Sequence, residues 1–227
     1  MSQPFTSIVI AVDGPAASGK GTISRRLAQH FHFAHMDSGA LYRLTALAVL
    51  EAGGDPAREA DALSGAATID LSRAGDPAIR TAEVGTAASK VSAIPAVRAA
   101  LHDFQINFIT HPPGDSKGAV MDGRDIGTVI APHATAKLFI EARAEVRAHR
   151  RWLELCALGQ PRDKAALLAE ILARDEADRS RAVSPLKRAA DAALLDTSDL
   201  DIDAAFAAAL ALVSPRVEGA LKDRHRG

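Results

Sequence analysis

Residues 8–22 read IVIAVDGPAASGKGT, an apolar run broken by a glycine-bracketed turn that ends in lysine. Glycines at 14 and 19 let a backbone fold tightly around an anion, so that successive amide N–H groups point inward at phosphate oxygens. Lys20 adds a mobile positive charge, and a helix beginning near Gly19 adds the positive end of its dipole. The spacing from Gly14 to Lys20 matches the G-x-x-x-x-G-K part of the Walker A pattern, with Gly21 where Ser or Thr is usual and Thr22 one place later. The flanks agree. Residues 7–12 have the continuous apolar character of a buried strand, and Ile23, Leu27, Ala28 and Phe31 recur with a helical period. A plain Gly/Pro turn between strand and helix is the alternative.

The chain of 227 residues is 48% hydrophobic, enough for one α/β core with a small appended lobe. Its 27 basic and 28 acidic side chains leave a formal charge of −1, so no global field draws it to nucleic acid or to an anionic membrane, and an anion must be met locally. The single cysteine, Cys156, excludes an internal disulfide; its place in the apolar run 152–158 suits packing rather than reactivity. No apolar run approaches the roughly eighteen residues of a membrane span, and no secretory leader is evident. A cytoplasmic protein is expected, with no nucleic-acid or membrane partner.

Short apolar segments alternate with longer helical ones, the rhythm of a parallel sheet covered on both faces. Strands are expected near 8–12, 34–36, 119–121, 137–140 and 194–195. Helices are expected over 21–31, 40–52, 79–91, 96–109, 144–158, 164–181 and 202–217. Between 53 and 76 the pattern weakens at Gly53, Gly54, Pro56, Gly65 and Gly75, marking a small lobe. The tail over 222–227 is polar and expected to fray.

Arginines gather where a phosphate-handling protein needs them. Arg43 follows the turn Asp37, Ser38, Gly39, and Arg124 lies in DGRD beyond the third strand, at the edge where open α/β sheets bind ligands. Arg174, Asp178 and Arg181 fall at i, i+4 and i+7, one helical face. Arg147, Arg150 and Arg151 crowd one helical turn, which is costly unless an anion or acidic partners lie near; ion pairs to Glu145, Glu154 or Asp175 are the bland reading. Phosphoryl transfer between two anions explains so many cations, because donor and acceptor repel and must be aligned. Such chemistry needs no protein nucleophile, only positioning, charge stabilisation and exclusion of water. Exclusion implies a moving lid, for which 147–185 is the candidate.

The motifs GPAASGKGT from Gly14, MDSGALYR from Met36, AASKVSAIPAVR from Ala87, DGRDIGTVIAP from Asp122, AHRR from Ala148, RDEADRSRAVSPL from Arg174 and LLDTS from Leu194 run nearly end to end. Together they resemble the bacterial cytidylate kinase family. The resemblance implies an α/β P-loop nucleoside monophosphate kinase fold: a five-stranded parallel sheet flanked by helices, an acceptor-binding lobe over 53–110 and a helical lid over 147–185. It implies transfer of the ATP γ-phosphoryl group to CMP or dCMP by a monomer, with Mg²⁺ bound together with ATP and no metal site of the protein's own. ATP is then held by Gly14, Pro15, Ala16, Ala17, Ser18, Gly19, Lys20, Gly21 and Thr22. Arg43, Arg124 and Arg181 hold the acceptor phosphate, Arg174 and Asp178 reach its sugar, and Ser38 lies in the same pocket. Ser89, Arg98 and Asp125 read the base. Lys20, Arg124, Arg150, Arg151 and Arg181 act on the transferring group, and backbone around 196–198 flanks the adenine.

Cytosine chemistry agrees with that base-reading set. Its N4 amino group donates while N3 and O2 accept, which suits a carboxylate with a hydroxyl on one side and a guanidinium on the other. Uracil reverses the pattern at positions 3 and 4, predicting poor use of UMP. One departure stands out: long-type bacterial members carry several strands in the acceptor lobe, for which 71–79 is too short. Among other readings, a GTPase switch lacks its Asn-Lys-x-Asp motif here. A kinase for another small acceptor is separated by an acceptor panel, and an ATP-binding regulatory module by the absence of product. His30, His32 and His35 match no common zinc spacing and are read as structural or exposed.

Overall fold

The computed structural model describes residues 7–157 and 159–224. Five strands, β1 (Ile8–Asp13), β2 (Ala34–Asp37), β3 (Gly118–Gly123), β4 (Ala136–Glu141) and β5 (Ala193–Asp196), form one sheet in the order β2-β3-β1-β4-β5. β1 lies parallel to β3 with Ile8 opposite Gly118 and Asp13 opposite Gly123, and parallel to β4 with Ile10 opposite Ala136. Every residue of β1 and β3 is buried, as a central parallel strand covered on both faces requires.

The described residues contain eight α-helices: α1 (Lys20–Phe31), α2 (Ser38–Glu51), α3 (Glu59–Ala67), α4 (Ala82–Val91), α5 (Pro95–Thr110), α6 (Ala144–Ala157), α7 (Lys164–Arg179) and α8 (Ile202–Arg224). The chain divides into two compact units, one formed by residues up to Met36 together with Ile109 onward, the other by Asp37–Phe108. In the larger unit, alternate β1 residues Ile8, Ile10 and Val12 pack with Val120, Leu138 and Ile140 under Ile23 and Leu27 of α1 and Ala205, Ala209, Val213 and Val217 of α8. At Gly118 the backbones come so close that an added Cβ would lie 2.4 Å from the Ile8 carbonyl oxygen and 2.9 Å from the Phe33 ring. The smaller unit packs α2 against α3 and α4.

The elements expected from periodicity are present, with differences that have physical causes. The weak stretch before residue 76 contains α3, whose Gly65 is a packing residue rather than a breaker: a Cβ there would meet Val49 Cγ2 at 2.6 Å and Thr45 O at 2.8 Å. Helix α4 starts at Ala82 rather than at 79, because Thr81 accepts from Val84 N and a separate 3₁₀ turn, Pro77–Arg80, is closed by Asp76 accepting from Ala78 N. A second 3₁₀ turn, Leu71–Gly75, precedes it, so residues 71–80 hold two turns and no strand. Helix α7 stops at Arg179, leaving Arg181 past its C-cap, Ser180.

Helix α8 continues through Pro215 to Arg224, beyond the expected end at 217. Burial of Val213 and Val217 on either side of the proline holds it together despite the lost N–H. Lys222 and Arg224 are therefore helical rather than frayed, while 225–227 lie outside the described residues, as does Leu158 at the expected end of α6. By length and composition α8 could cross a membrane; in this fold its Ala205, Ala209, Val213 and Val217 are buried in the core of the larger unit.

Candidate active site

The loop between β1 and α1 starts at Gly14, whose φ is +153° and where an added Cβ would sit 2.0 Å from Ile140 O; only glycine fits. Ala17 (φ +58°) and Gly19 (φ +88°) are also left-handed. The loop's carbonyls are tied outward. Lys20 Nζ donates to Pro15 O at 3.3 Å and Arg147 Nη1 to Ala16 O at 3.2 Å, while Thr197 Oγ1 lies 3.1 Å from Ser18 O and 3.2 Å from Glu141 O. A loop with its carbonyls engaged in this way can offer its amides to an anion. Helix α1 begins at Lys20 with Gly19 as N-cap and has neither a side-chain cap nor an acidic residue of its own in its first turn.

Beyond β3, Arg124 Nε donates to Asp178 Oδ2 at 2.8 Å, and Arg181 Nη2 lies 2.6 Å from Asp178 Oδ1. Burial by itself pushes the Asp178 carboxyl up, but the charges of Arg124, Arg181 and Arg174 outweigh it and hold the group below the usual carboxylate range. These four residues thus gather at one place, even though Arg181 has left the helix that carries Arg174 and Asp178.

Asp125 is followed by a single π-helical turn, Ile126–Ile130, that periodicity does not reveal. The turn is anchored by Asp13, which accepts from Ile126 N at 2.8 Å and Gly127 N at 2.7 Å. Burial raises the Asp13 carboxyl to about 7, with the neighbouring Asp125 charge adding to the rise and the two N–H bonds and Lys20 opposing it. Asp122, at the end of β3, is 2% exposed; its Oδ1 is 2.8 Å from His35 Nε2, and its Oδ2 is 3.8 Å from where a Cβ on Gly21 would be. His35 is the member of the histidine trio with a defined polar partner in this region. His30 instead packs edge-on against Phe31 and Phe206.

The three arginines of α6 take separate partners. Arg147 forms a bidentate pair with Asp175 of α7, at 3.1 and 2.6 Å. Arg151 pairs with Glu154 one turn on at 3.0 Å. Arg150 donates to Thr197 O at 2.7 Å and Thr197 Oγ1 at 3.1 Å, and its Nη1 lies 3.9 Å from a Cβ placed on Gly19; burial pulls its guanidinium below its ordinary value while Asp196 opposes that. The acidic-partner reading therefore holds for Arg147 and Arg151.

The smaller unit makes its own cluster. Arg43 of α2 donates to Ile79 O at 2.8 Å and lies 3.6 Å from a Cβ placed on Gly85 of α4, one turn before Ser89, whose hydroxyl donates back to Gly85 O at 3.2 Å. Arg98 of α5, 9% exposed, donates to Ser92 O at 3.3 Å and stands 5.5 Å from the centroid of the Tyr42 ring. Ser38, the first residue of α2, is also buried.

A family model described as cytidylate kinase matches residues 10–214. The chain belongs to the cytidylate kinase family. It is 55% identical over 206 residues to a cytidylate kinase of Nitrobacter winogradskyi and 54% identical over 206 residues to one of Rhodopseudomonas palustris; each match covers 91% of this chain and 95% of the relative. Among solved structures, an uncharacterized protein from Eubacterium ventriosum (TM-score 0.53, 13% identity, 92% of this chain and 99% of that one) and a gluconokinase from Sinorhizobium meliloti (TM-score 0.51, 13% identity, 97% and 99%) share the fold. In a cytidylate kinase family member the strand–loop–helix cradle and the arginine cluster are parts of one phosphate-handling α/β fold.

Sequence reading gave no role to Asp13, to His35 or to the side chain of Thr197, although Thr197 lies in the LLDTS motif, and it named Asp175 only as an ion-pair partner. Asp13 had a signal, an acid closing an apolar strand just before the first glycine of the cradle. The others are polar residues in ordinary contexts, and only their partners mark them.

Proposed function

We propose that this protein transfers the γ-phosphoryl group of ATP to CMP or dCMP, releasing ADP and CDP or dCDP, in the pyrimidine nucleotide economy of the cytoplasm and as a monomer. The observation that carries the reading is the pairing of a glycine cradle having its carbonyls tied back with an Arg124–Asp178–Arg181 cluster at the carboxyl edge of the same sheet. ATP's phosphates lie against Gly14, Pro15, Ala16, Ala17, Ser18, Gly19, Lys20, Gly21 and Thr22, with Lys20, Arg124, Arg150, Arg151 and Arg181 offsetting charge on the moving group.

For the acceptor, we assign Arg124, Arg174, Asp178 and Arg181 of the larger unit to phosphate and sugar, and Asp125 to the cytosine amino edge. The turn that follows Asp125 is held by the Asp13 carboxylate at Ile126 N and Gly127 N and by the Asp125 backbone carbonyl at Val129 N. Within the smaller unit, Ser38 and Arg43 are assigned to the phosphate end and Ser89 and Arg98 to the base. Helices α6 and α7 serve as the lid and the Asp37–Phe108 unit as the acceptor lobe.

Mg²⁺ bound with the triphosphate fits the donors present: the Thr22 hydroxyl in the first turn of α1 and Asp122, whose Oδ2 faces Gly21, are hard oxygen groups of the kind this ion takes. The ion supplies charge neutralisation at the β- and γ-phosphoryl oxygens. Among the described residues no cluster of three or more His, Cys, Asp or Glu could hold a metal alone.

The test is an acceptor panel of CMP, dCMP, UMP and AMP with ATP and Mg²⁺, following ADP and nucleoside diphosphate. CMP and dCMP are expected to be turned over far better than UMP and AMP. Formation of neither ADP nor CDP overturns the reading.

A further inference from the structure

We propose that Arg147 and Asp175 are a positioning pair that sets the ATP cradle relative to the arginine cluster gathered around Asp178 of α7. The proposal rests on the phosphoryl-transfer reading above.

All three nitrogens of the Arg147 guanidinium donate inside the protein. Nη1 and Nη2 reach the two Asp175 oxygens at 3.1 and 2.6 Å, Nε donates to Ala142 O at 2.8 Å just past β4, and Nη1 also reaches Ala16 O at 3.2 Å. Both side chains of the pair are 4% exposed. One planar group thereby joins the end of a sheet strand, the cradle and α7. The hold on the cradle falls on the carbonyl next to Ala17, a non-glycine residue kept in the left-handed region at φ +58°. Such a conformation is unfavourable for an L side chain and persists only where surrounding contacts impose it.

On the same helix, one turn beyond Asp175, Asp178 holds Arg124 and Arg181. The covalent frame of α7 therefore connects the group that pins the cradle to the group that spaces the phosphate-handling arginines. A pair that only glued α6 to α7 would need the Asp175 bonds alone. The added bond to Ala16 O has no role in joining those helices. Transfer depends on in-line placement of two anions, and displacement of one partner by about 1 Å can cost on the order of 100-fold in rate. Neither residue touches substrate in this account, so the effect falls on kcat rather than on binding.

The test separates position from stability. Removing one partner alone leaves a buried charge, so the informative variant is R147M/D175L, because a buried ion pair replaced by apolar groups of similar volume often folds as well or better. That variant is expected to melt at or above the wild-type temperature, yet to lose at least about 30-fold in kcat with the KM for ATP and for CMP each changed less than about threefold. R147K, which keeps the charge but not the fork, is expected to lose about tenfold in kcat. A double variant that is as stable as wild type and keeps kcat within about twofold overturns the proposal while leaving the proposed function standing. If the double variant does not fold, R147K decides: kcat within about twofold of wild type overturns the proposal. A wild-type protein that fails to phosphorylate CMP overturns both readings at once.

Discussion

Arg124 and Asp178, 54 positions apart in the chain, meet through an Nε–Oδ2 hydrogen bond of 2.8 Å that ties the end of β3 to the last turns of α7. With Arg181 on its other oxygen, the Asp178 carboxylate acts as a spacer that keeps two like-charged guanidinium groups together in a largely buried place. Without it the two cations repel, and an acceptor phosphate would have to order them on binding.

Asp178→Asn is therefore expected to raise the KM for CMP by about 10- to 100-fold, the range of a lost charge-assisted hydrogen bond, with the KM for ATP changed little. Steady-state kinetics with each substrate varied in turn checks it. Because the native carboxyl is held below its ordinary value, its contribution to stability is present above the unfolded carboxylate range and fades as pH falls through the depressed native value. The Asn variant should accordingly lose less stability than wild type on acidification.

If Lys20 acts, as proposed, on charge that develops during transfer, Lys20→Met is expected to lower kcat by about 100- to 1,000-fold while leaving the melting temperature close to wild type. Its bond to Pro15 O, at 3.3 Å, is long for a hydrogen bond. Near-normal turnover in this variant contradicts the assignment of Lys20.

On the proposed base-reading role, Asp125→Ala should reduce the ratio of CMP to UMP efficiency by about 10- to 100-fold, because a buried carboxylate set against the cytosine amino group would also repel the uracil carbonyl. The π-helical turn should survive, its two amides being held by Asp13. An unchanged ratio, measured under competition, removes Asp125 from base reading.

Asp13 makes a prediction about pH. Its native carboxyl sits at about 7 against an ordinary 3.8, so between those values the folded protein holds a proton that the unfolded chain has released. The stability tied to that proton is complete below the unfolded value and is lost as pH rises through about 7. The slope is at most about 1.4 kcal/mol per pH unit for one group. Asp13→Asn cannot titrate, so its stability relative to wild type should rise from pH 5 to about pH 7 and then level off. Parallel denaturant titrations of the two proteins across pH 5–8 check this, and a constant difference contradicts it.

Local order was legible where the chemistry is local. The apolar run ending at Asp13, the glycines at 14 and 19 and the period of Ile23, Leu27 and Phe31 specify strand, cradle and helix from adjacent residues, and each is where its spacing requires. Two other residues invert the usual local rules. Gly65 reads as a breaker yet sits inside α3, and α8, expected to end at 217 just after Pro215, runs on to Arg224. In both cases the deciding contact is with a distant segment: Val49 and Thr45 leave no room for a side chain at 65, and burial of Val213 and Val217 holds α8 across its proline.

The same division runs through the candidate site. From its amino acids alone this chain determined a parallel α/β sheet, a phosphate cradle between β1 and α1, and an excess of arginine in the segments that follow, because periodicity and glycine placement are properties of neighbouring residues. Folding in three dimensions decided which arginine serves what. Arg147 goes to Asp175 and the cradle, Arg151 to Glu154, Arg150 to Thr197, and Arg124 with Arg181 to Asp178. A guanidinium finds its carboxylate through space. Whether the pair lies 3 or 54 positions apart depends on how helices and strands pack, which no local pattern encodes.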